Sequence, residues 1–388
     1  MSELITPTGR VHWVGTGMST GSGLGLVCAG ASTVLWGRTA QKAEDCLARL
    51  GLAGAAESRE FSPAALAEAL APGDVVVSML PAGEHPGLVR LAREEGAHFV
   101  CSSYLSPGVA EEARPAADRG CVVLTEVGLD PGIDHLLAHD LVRRGRAAVG
   151  DGPATARFTS YCGSNPAEPN EFRYRFSWAP RGVLTALLNP ARLIEDGAEK
   201  VVERPWEAVT TQEVGDETFE VYPNRDSLPF VGTYAFPAGW RLATFVRGTL
   251  RLDGWSRAWQ PVFAALLEAD EPAITDLAQE LAARYPTSAE DHDRVVMSVR
   301  LELTAEDGRT WSGEYALDAV GDEKESATPR LVSVPLALAI LDVVDGRVAP
   351  GLHQASDRPE LVARWLELLA EKGVSARYHG GTGEEIHG

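Results

Sequence analysis

Short apolar runs alternating with helical segments constrain the first third of this chain more than any other feature. The runs fall at residues 11–14, 33–36, 74–81, 98–101 and 121–124, and helical pattern occupies 24–29, 40–50, 63–70, 86–95 and 109–119. Val75-Val76-Val77 shows no polar alternation at all. Such a strand needs cover on both faces, which the crossover helices of a parallel sheet provide. Repeats of this size predict a doubly wound parallel sheet. Ligands of these sheets bind outside the carboxyl ends of the strands. Three strand ends here are polar: residues 81–85, Ser102-Ser103-Tyr104, and Glu126 to Asp130. They are expected to line one crevice.

The first run ends in Gly15-Thr16-Gly17-Met18-Ser19-Thr20-Gly21, a G-x-G-x-x-x-G variant of the dinucleotide fingerprint. One glycine permits a tight turn, a second lets a pyrophosphate approach the backbone, and helix N–H groups then face the phosphates. Taken alone, such a loop is also compatible with a plain turn. Its context adds weight. About 20 residues on, an acidic side chain would bind the ribose 2′-hydroxyl of NAD. Arg38 and Thr39 stand there instead, which suits a 2′-phosphate and hence NADP(H). The alternative is a solvent-exposed arginine ahead of a helix. The expected fold class is α/β, opening with a Rossmann-type sheet.

Residues 125–135 read Thr-Glu-Val-Gly-Leu-Asp-Pro-Gly-Ile-Asp-His. Gly128 and Pro131-Gly132 break regular structure just past the last apolar run, so a domain junction and part of a site are both expected here. The pattern then changes. A helix over 136–144 and a strand over 155–161 lead to Cys162-Gly163-Ser164-Asn165 and an arginine-rich stretch at 173–181. A short helix is expected over 182–189, strands over 199–222 and 244–251, and a helix over 258–268. Val295, Met297, Val299, Leu301 and Leu303 alternate along one face, and Glu306-Asp307-Gly308 turns the chain back toward 311–316 as a β-hairpin. An apolar helix over 331–344 follows, then an amphipathic helix over 359–372 that should return to the first domain. The expected division is 1–132 with 351–388 as a dinucleotide-binding domain, and 133–350 as an inserted α+β substrate domain on a mixed sheet. Residues 380–388 read as a loose tail.

Charge narrows the partners. A formal charge of -20 argues against nucleic acid and against an anionic membrane surface, both of which need basic patches. No apolar run approaches the ~20 residues of a membrane helix. The first residues lack a basic and apolar leader, so none is expected. Cys28, Cys46, Cys101, Cys121 and Cys162 are widely spaced and form no C-x-x-C, which fits a reducing cytoplasm. His135 and His139 lie one helical turn apart without an acid in the H-E-x-x-H position or an obvious third ligand, so no metal is expected. The assembly is left open, with a homodimer as one alternative.

Several motifs, in order, resemble those of the saccharopine reductase family, the NADP-dependent, glutamate-forming saccharopine dehydrogenases. They are residues 125–135, Ser103-Tyr104-Leu105-Ser106-Pro107, Ser160-Tyr161-Cys162-Gly163, Phe176-Ser177-Trp178 with Arg181-Gly182-Val183-Leu184, Tyr222-Pro223-Asn224-Arg225-Asp226-Ser227, Val246-Arg247-Gly248-Thr249-Leu250-Arg251, and the helix over 332–344. The resemblance implies a dinucleotide domain built from both chain ends with a substrate domain between them. It also implies a reaction: the imine between glutamate and aminoadipate semialdehyde is reduced by NADPH to saccharopine, or the reverse. By position, Gly15, Thr16, Gly17, Met18, Arg38, Thr39, Ser78, Gly128, Leu129, Asp130 and Ser177 are expected at the cofactor. Ser103, Tyr104, Arg225, Arg247, Gly248 and Thr249 are expected at substrate, with Cys162, Asp130 and Tyr104 as the titratable groups near the reacting carbon. Arg251, Arg173 and Arg181 are further cations for a substrate with several carboxylates, surface salt bridges being the alternative for most of them. Ala82, Ser164 and Asn165 depart from the family pattern. They keep open a related opine-type imine reductase that joins other amino-acid and carbonyl partners. A non-catalytic NADP-binding module is a third reading.

Overall fold

The computed structural model describes residues 3–176, 180–288 and 291–381. The chain divides into two compact units, Met1–Leu136 with Thr328–Val374, and Leu137–Ala327 with Ser375–Gly388.

The first unit holds a seven-stranded sheet. From edge to edge its strands are Gly351–His353, Val122–Leu124, His98–Cys101, Val75–Ser78, Arg10–Val14, Ser32–Gly37 and Glu57–Glu60. Every pairing is parallel. Arg10–Val14 pairs with Ser32–Gly37 on one side and Val75–Ser78 on the other. The order of strands therefore reverses at its carboxyl end, where the glycine loop begins. Val14, Val76, Phe99 and Val123 share one core cluster, each essentially inaccessible. Burial of a side chain such as Phe99 stabilises the fold by about 2–3 kcal/mol.

Polar groups in this core are paired. His12 is fully buried; its Nδ1 accepts from the Trp36 indole N–H at 3.2 Å, which leaves the ring proton on Nε2, 3.0 Å from Asp74 Oδ2. Asp74 also accepts from the Thr8 hydroxyl and the Ala71 N–H. Burial raises the Asp74 carboxyl, but the bonds from His12, Thr8 and Ala71 outweigh it and hold the group below its usual value. A lowered folded-state pKa contributes stability above the unfolded value of about 3.9, lost as pH falls through the folded one. The urea midpoint of the wild type should therefore fall from pH 5 toward pH 3 more steeply than that of Asp74→Asn. Parallel slopes would show that this carboxylate carries none of the acid sensitivity.

Helix Gly23–Gly30 meets helix Ala327–Val344 at van der Waals limits. A Cβ on Gly23 would lie 1.9 Å from the Ser333 carbonyl oxygen, and the Gly23 N–H donates to Ser333 Oγ at 3.0 Å. Gly23 thus makes the close approach that a fingerprint's third glycine serves. Helix Ala327–Val344 has the length and mean hydropathy to cross a membrane, yet 67% of it is buried within the protein. Helix Pro359–Glu371 also belongs to this unit, as its apolar face predicts.

The second unit is built on a nine-stranded mixed sheet. Its main path runs Thr210–Val214, Glu217–Pro223, Trp240–Leu252, Ala154–Pro166, Asp293–Ala305, Thr310–Val320 and Arg377–Gly381. Trp240–Leu252 and Ala154–Pro166 pair in parallel, and the other neighbours on this path are antiparallel. Helix Ile133–Val149 runs without a break through the division at Leu136.

Several boundaries differ from the sequence expectation. Helix Ala327–Val344 falls almost wholly in the first unit rather than in a 133–350 domain. Of the tail expected over 380–388, Gly380 and Gly381 end strand Arg377–Gly381, which pairs with Thr310–Val320 in the second unit with Gly380 opposite Gly313, and 382–388 lie outside the described residues. A Cβ on Gly380 would sit 2.5 Å from Ser312 O, so the glycine that suggested looseness is what lets the strands meet. Glu57–Glu60 gives no apolar signal because it is a polar edge strand. Ala154–Pro166 is longer than expected, which puts Cys162 to Asn165 inside a strand rather than beyond one. The 109–119 segment splits into helix Pro107–Ala113 and a 3-10 turn, Ala117–Arg119.

Candidate active site

A cleft of about 620 Å³ opens at the carboxyl end of Arg10–Val14. Gly15, Thr16, Gly17 and Arg38 line it, and so do Lys42, Phe61 and Met79. Gly15 has φ 121°, and a Cβ there would press on the Met79 carbonyl at 3.1 Å. Only glycine combines that conformation with that approach. The Thr20 hydroxyl ties the loop back to the Gly15 carbonyl at 3.2 Å. Thr39 caps the next helix, its hydroxyl accepting from the Lys42 N–H at 3.2 Å. Thr39 is thus tied to the helix start, while Arg38 before it is exposed at the cleft. Met18 is 59% exposed at the loop tip. A glycine cradle with Arg38 and Lys42 at its side fits a phosphorylated dinucleotide.

Lys42 is a cation that sequence reasoning passed over. Its signal was present: it lies four residues after Arg38 in the first turn of helix Ala40–Arg49.

The neighbouring strand ends carry a bonded polar network. Tyr104 donates to Asp130 Oδ1 at 2.5 Å. The loop bearing Asp130 closes on itself: Gly128 N–H donates to Pro131 O at 2.9 Å, and Ile133 N–H to Gly128 O at 2.9 Å. Leu129, between them, is only 8% exposed. The Asp130–Pro131 peptide is cis. Asp134 Oδ1 accepts from the Gly132 N–H at 2.7 Å.

Glu126 holds this loop to its surroundings. It is 2% exposed and sits at φ 60°, in the left-handed region. One carboxylate oxygen accepts from Leu105 N–H at 2.9 Å; the other lies 2.7 Å from Gln354 Nε2 and 3.1 Å from His135 Nε2. Three chain segments, around Leu105, 126–135 and Gln354, thus meet at one buried carboxylate. No local sequence pattern announces this, because Leu105 and Gln354 lie in other parts of the chain.

Ser78 is buried at the end of its strand, its Oγ 3.0 Å from His85 Nδ1. Ser103 Oγ lies 3.0 Å from His85 Nε2. Burial pushes the His85 imidazole down to about 4, so it is neutral at physiological pH. Burial likewise pushes the Cys101 thiol up to about 12, which makes it a packing group rather than a nucleophile. Ser177 lies outside the described residues.

In the second unit, the Tyr222–Ser227 loop folds onto the Trp240–Leu252 strand. Asn224 N–H donates to Arg247 O at 3.0 Å, and Arg247 N–H donates to Ser227 Oγ at 2.9 Å. Arg225, exposed at φ 61°, is thereby set beside Arg247. Arg247 itself stacks over Phe230 with its Cζ 4.0 Å from the ring centre. Thr249 pairs in register with Cys162, a half-buried thiol outside any disulfide, and Gly248 with Tyr161. A Cβ on Gly248 would clash with Tyr222 O at 2.4 Å, and one on Gly163 with Leu250 O at 1.9 Å. The two glycines let these strands approach, with Thr249 opposite Cys162 and Arg247 two residues before Thr249. Burial raises the Tyr161 phenol to about 12.

Arg181 makes the exposed ion pair that was its alternative, with Glu271. Arg251 does not. It is 8% exposed, over the Tyr174 ring at 4.9 Å, and donates to the Tyr222 hydroxyl at 3.3 Å. Glu220, its cross-strand neighbour, instead accepts from Gly254 N–H, Ser256 N–H and the Ser256 hydroxyl. Among the described residues, no group of three or more His, Cys, Asp or Glu is placed to hold a metal.

Comparison with known proteins follows the same two halves. Residues 11–124 match the saccharopine dehydrogenase NADP binding domain, and residues 128–374 the saccharopine dehydrogenase C-terminal domain. The chain is similar to the saccharopine dehydrogenase [NADP(+), L-glutamate-forming] of Pyricularia oryzae, 33% identical over 282 residues, 69% of this chain and 61% of that protein. It is 39% identical over 197 residues to the same enzyme of Saccharomyces cerevisiae, covering 49% of this chain and 43% of that one. The matches thus span about three-fifths and two-fifths of those two relatives. Against the enzyme of Schizosaccharomyces pombe the match is 29% identical and covers 80% of this chain and 85% of that protein. Among solved structures, the apo saccharopine dehydrogenase (L-Glu forming) of Saccharomyces cerevisiae superposes with TM-score 0.79 at 26% identity, over 96% of this chain and 99% of that one. The homospermidine synthase of Legionella pneumophila, solved with NAD, shares the fold at TM-score 0.64 and 10% identity, over 100% and 95% of the chains.

Proposed function

The chain belongs to the saccharopine dehydrogenase family, and on that premise we propose that it is an NADP(H)-dependent oxidoreductase forming or oxidising a secondary amine, saccharopine, through the imine of glutamate and aminoadipate semialdehyde. The observation that carries this reading is the Tyr104–Asp130 bond at 2.5 Å, set on loops at the ligand edge of the nucleotide sheet. It sets a phenol and a carboxylate side by side, groups able to serve as acid and base.

In the reductive direction the amine adds to the aldehyde carbon, and the carbinolamine loses water to give the iminium. The Tyr104–Asp130 pair donates the proton that leaves with that water and takes one back from the amine. The Gly15–Gly17 loop would hold NADP(H), with Arg38 and Lys42 at its 2′-phosphate, and the cofactor would supply or accept the hydride when bound. Arg225 and Arg247 take carboxylates of the amino-acid partners, a fork-to-carboxylate match that fixes orientation as well as affinity. Thr249 adds a hydroxyl on the same strand. Cys162, half-buried, stands beside Thr249 on the neighbouring strand. Most of the rate comes from holding reactants in line, which asks little covalent chemistry of the protein.

Three departures, Ala82, Ser164 and Asn165, favour a second reading, an opine-type imine reductase with other partners. Asn165 is 2% exposed on the strand that carries Cys162, and Ala82 is exposed in the turn after Val75–Ser78. Asn165 stands three residues after Cys162, and Ala82 lies in the turn between Ser78 and His85.

Purified protein mixed with saccharopine and NADP⁺, alongside other opines, and followed at the NADPH absorbance band separates the readings. Turnover of saccharopine supports the first. Turnover of another opine alone moves the assignment to the second, and NADPH binding without turnover of any opine would leave a non-catalytic module. Arg225→Ala should raise the amino-acid KM roughly 30- to 100-fold, the value of a lost charge-assisted contact. Its NADPH Kd should hold. A collapse of cofactor binding instead would contradict the role given to Arg225.

A further inference from the structure

His85 opens helix His85–Glu94 and is 1% exposed. Its two nitrogens meet two serines from neighbouring strand ends, Ser78 Oγ and Ser103 Oγ, each at 3.0 Å. The imidazole therefore bridges the loop after Val75–Ser78 to the loop after His98–Cys101. Ser103 is also fixed through its backbone, its carbonyl accepting from Glu126 N–H at 3.1 Å. It directly precedes Tyr104, the donor to Asp130.

A neutral imidazole carries one N–H and one bare nitrogen. One serine must then accept from the ring while the other donates to it. The accepting serine keeps its hydroxyl proton for another acceptor; the donating serine does not. Only one of the two can offer a proton outward at a time. A charged imidazole would remove this restriction, since both nitrogens would donate, but burial disfavours the charged form.

We infer that His85 is a positioning residue that hands the outward proton to Ser103: a substrate carboxylate accepting from Ser103 fixes the ring as the Nε2–H tautomer, with Ser78 donating to Nδ1. The inference rests on the proposed activity, in which Ser103 is a substrate contact.

Side-chain amides separate the two halves of the bridge. The asparagine amide reaches about as far as Nδ1 and can hold Ser78; the glutamine amide reaches about as far as Nε2 and can hold Ser103. With the full chain, saccharopine and NADP⁺, His85→Gln should keep KM within about threefold of wild type. His85→Asn and His85→Ala should each raise it roughly tenfold, the cost of one misdirected hydrogen bond. NADPH Kd should be unchanged in all three. Equal KM for the Asn and Gln variants, or a wild-type KM in the Ala variant, overturns the inference. An independent reading comes from ¹⁵N-histidine spectra of the NADPH-saturated chain with saccharopine, a pair that cannot turn over. The His85 signals, assigned by their loss in His85→Gln, should settle to the Nε2–H pattern; an Nδ1–H pattern or no change overturns the inference. A wild-type chain inactive on saccharopine overturns the activity assignment instead. The same variants, with the same expected KM ratios, are then measured on whichever opine the chain does turn over.

Discussion

Arg38→Ala should weaken NADPH binding about 100-fold while leaving NADH within about threefold, the upper range for losing a charge-assisted contact to phosphate. The reason is a missing acid. At the end of Ser32–Gly37 a carboxylate would accept from the ribose 2′-hydroxyl, and would repel a phosphate there. This chain places Arg38 at that point, exposed on the cleft, with Lys42 on the same cleft one helical turn further. The guanidinium offers a planar fork and the ammonium a point charge, so the arginine carries the larger share. Lys42→Ala should act in the same direction at roughly tenfold. Fluorescence titration with both cofactors is the measurement. Equal loss of NADPH and NADH would show that Arg38 supports the loop rather than the 2′-phosphate.

Gly132→Ala should cost the fold about 4 kcal/mol or more, the class of effect reserved for a forbidden backbone or a core clash. Gly132 has φ 146°, a conformation that L side chains avoid, and a Cβ there would stand 2.1 Å from the Gly128 carbonyl oxygen. Gly128 is crowded in turn, its Cβ position lying 2.8 Å from Ser102 Cβ. Neither collision involves a flexible side-chain end, so relaxation requires moving the loop that bears Asp130. A thermal melt of the alanine variant, or its failure to accumulate as folded protein, reads the effect. A melting temperature within a few degrees of wild type would mean the loop has an alternative path. By contrast Gly17→Ala, where a Cβ meets nothing within 4 Å, should leave stability almost unchanged.

How much of this was legible in the sequence depended on whether the signal was local. The Val75-Val76-Val77 run, the Gly15–Gly17 turn and the Arg38 position are all local, and each is where the pattern placed it. The alternation from Val295 to Leu303 likewise gave the long strand Asp293–Ala305. Strand Glu57–Glu60 was illegible because an edge strand with solvent on its flank needs no apolar alternation. Glu126 and His85 stood in view without a role, since their meaning lies in Gln354, Leu105, Ser78 and Ser103, brought near only by the fold. Arg251 looked like a surface cation because aromatic side chains that cage it, Tyr174, Tyr222 and Trp255, come from three separate segments. Motif resemblance named candidate substrate residues that periodicity could not, and two of the residues it singled out, Thr249 and Cys162, stand in register on one strand pair.

The seventh strand of the nucleotide sheet has a consequence for how the protein is made. Gly351–His353 pairs with Val122–Leu124, and the Thr125 N–H donates to the His353 carbonyl at 2.9 Å. The partners lie 228 residues apart in the chain. At ribosomal rates, roughly 10 to 50 s pass between the emergence of one and of the other. Through that interval the nascent sheet ends in Val122–Leu124 with one row of backbone donors and acceptors unpaired, and Glu126 lacks Gln354. An open apolar edge of this kind is a template for pairing with another chain. The yield of folded protein should therefore depend on chaperone supply during synthesis more than its final stability would suggest.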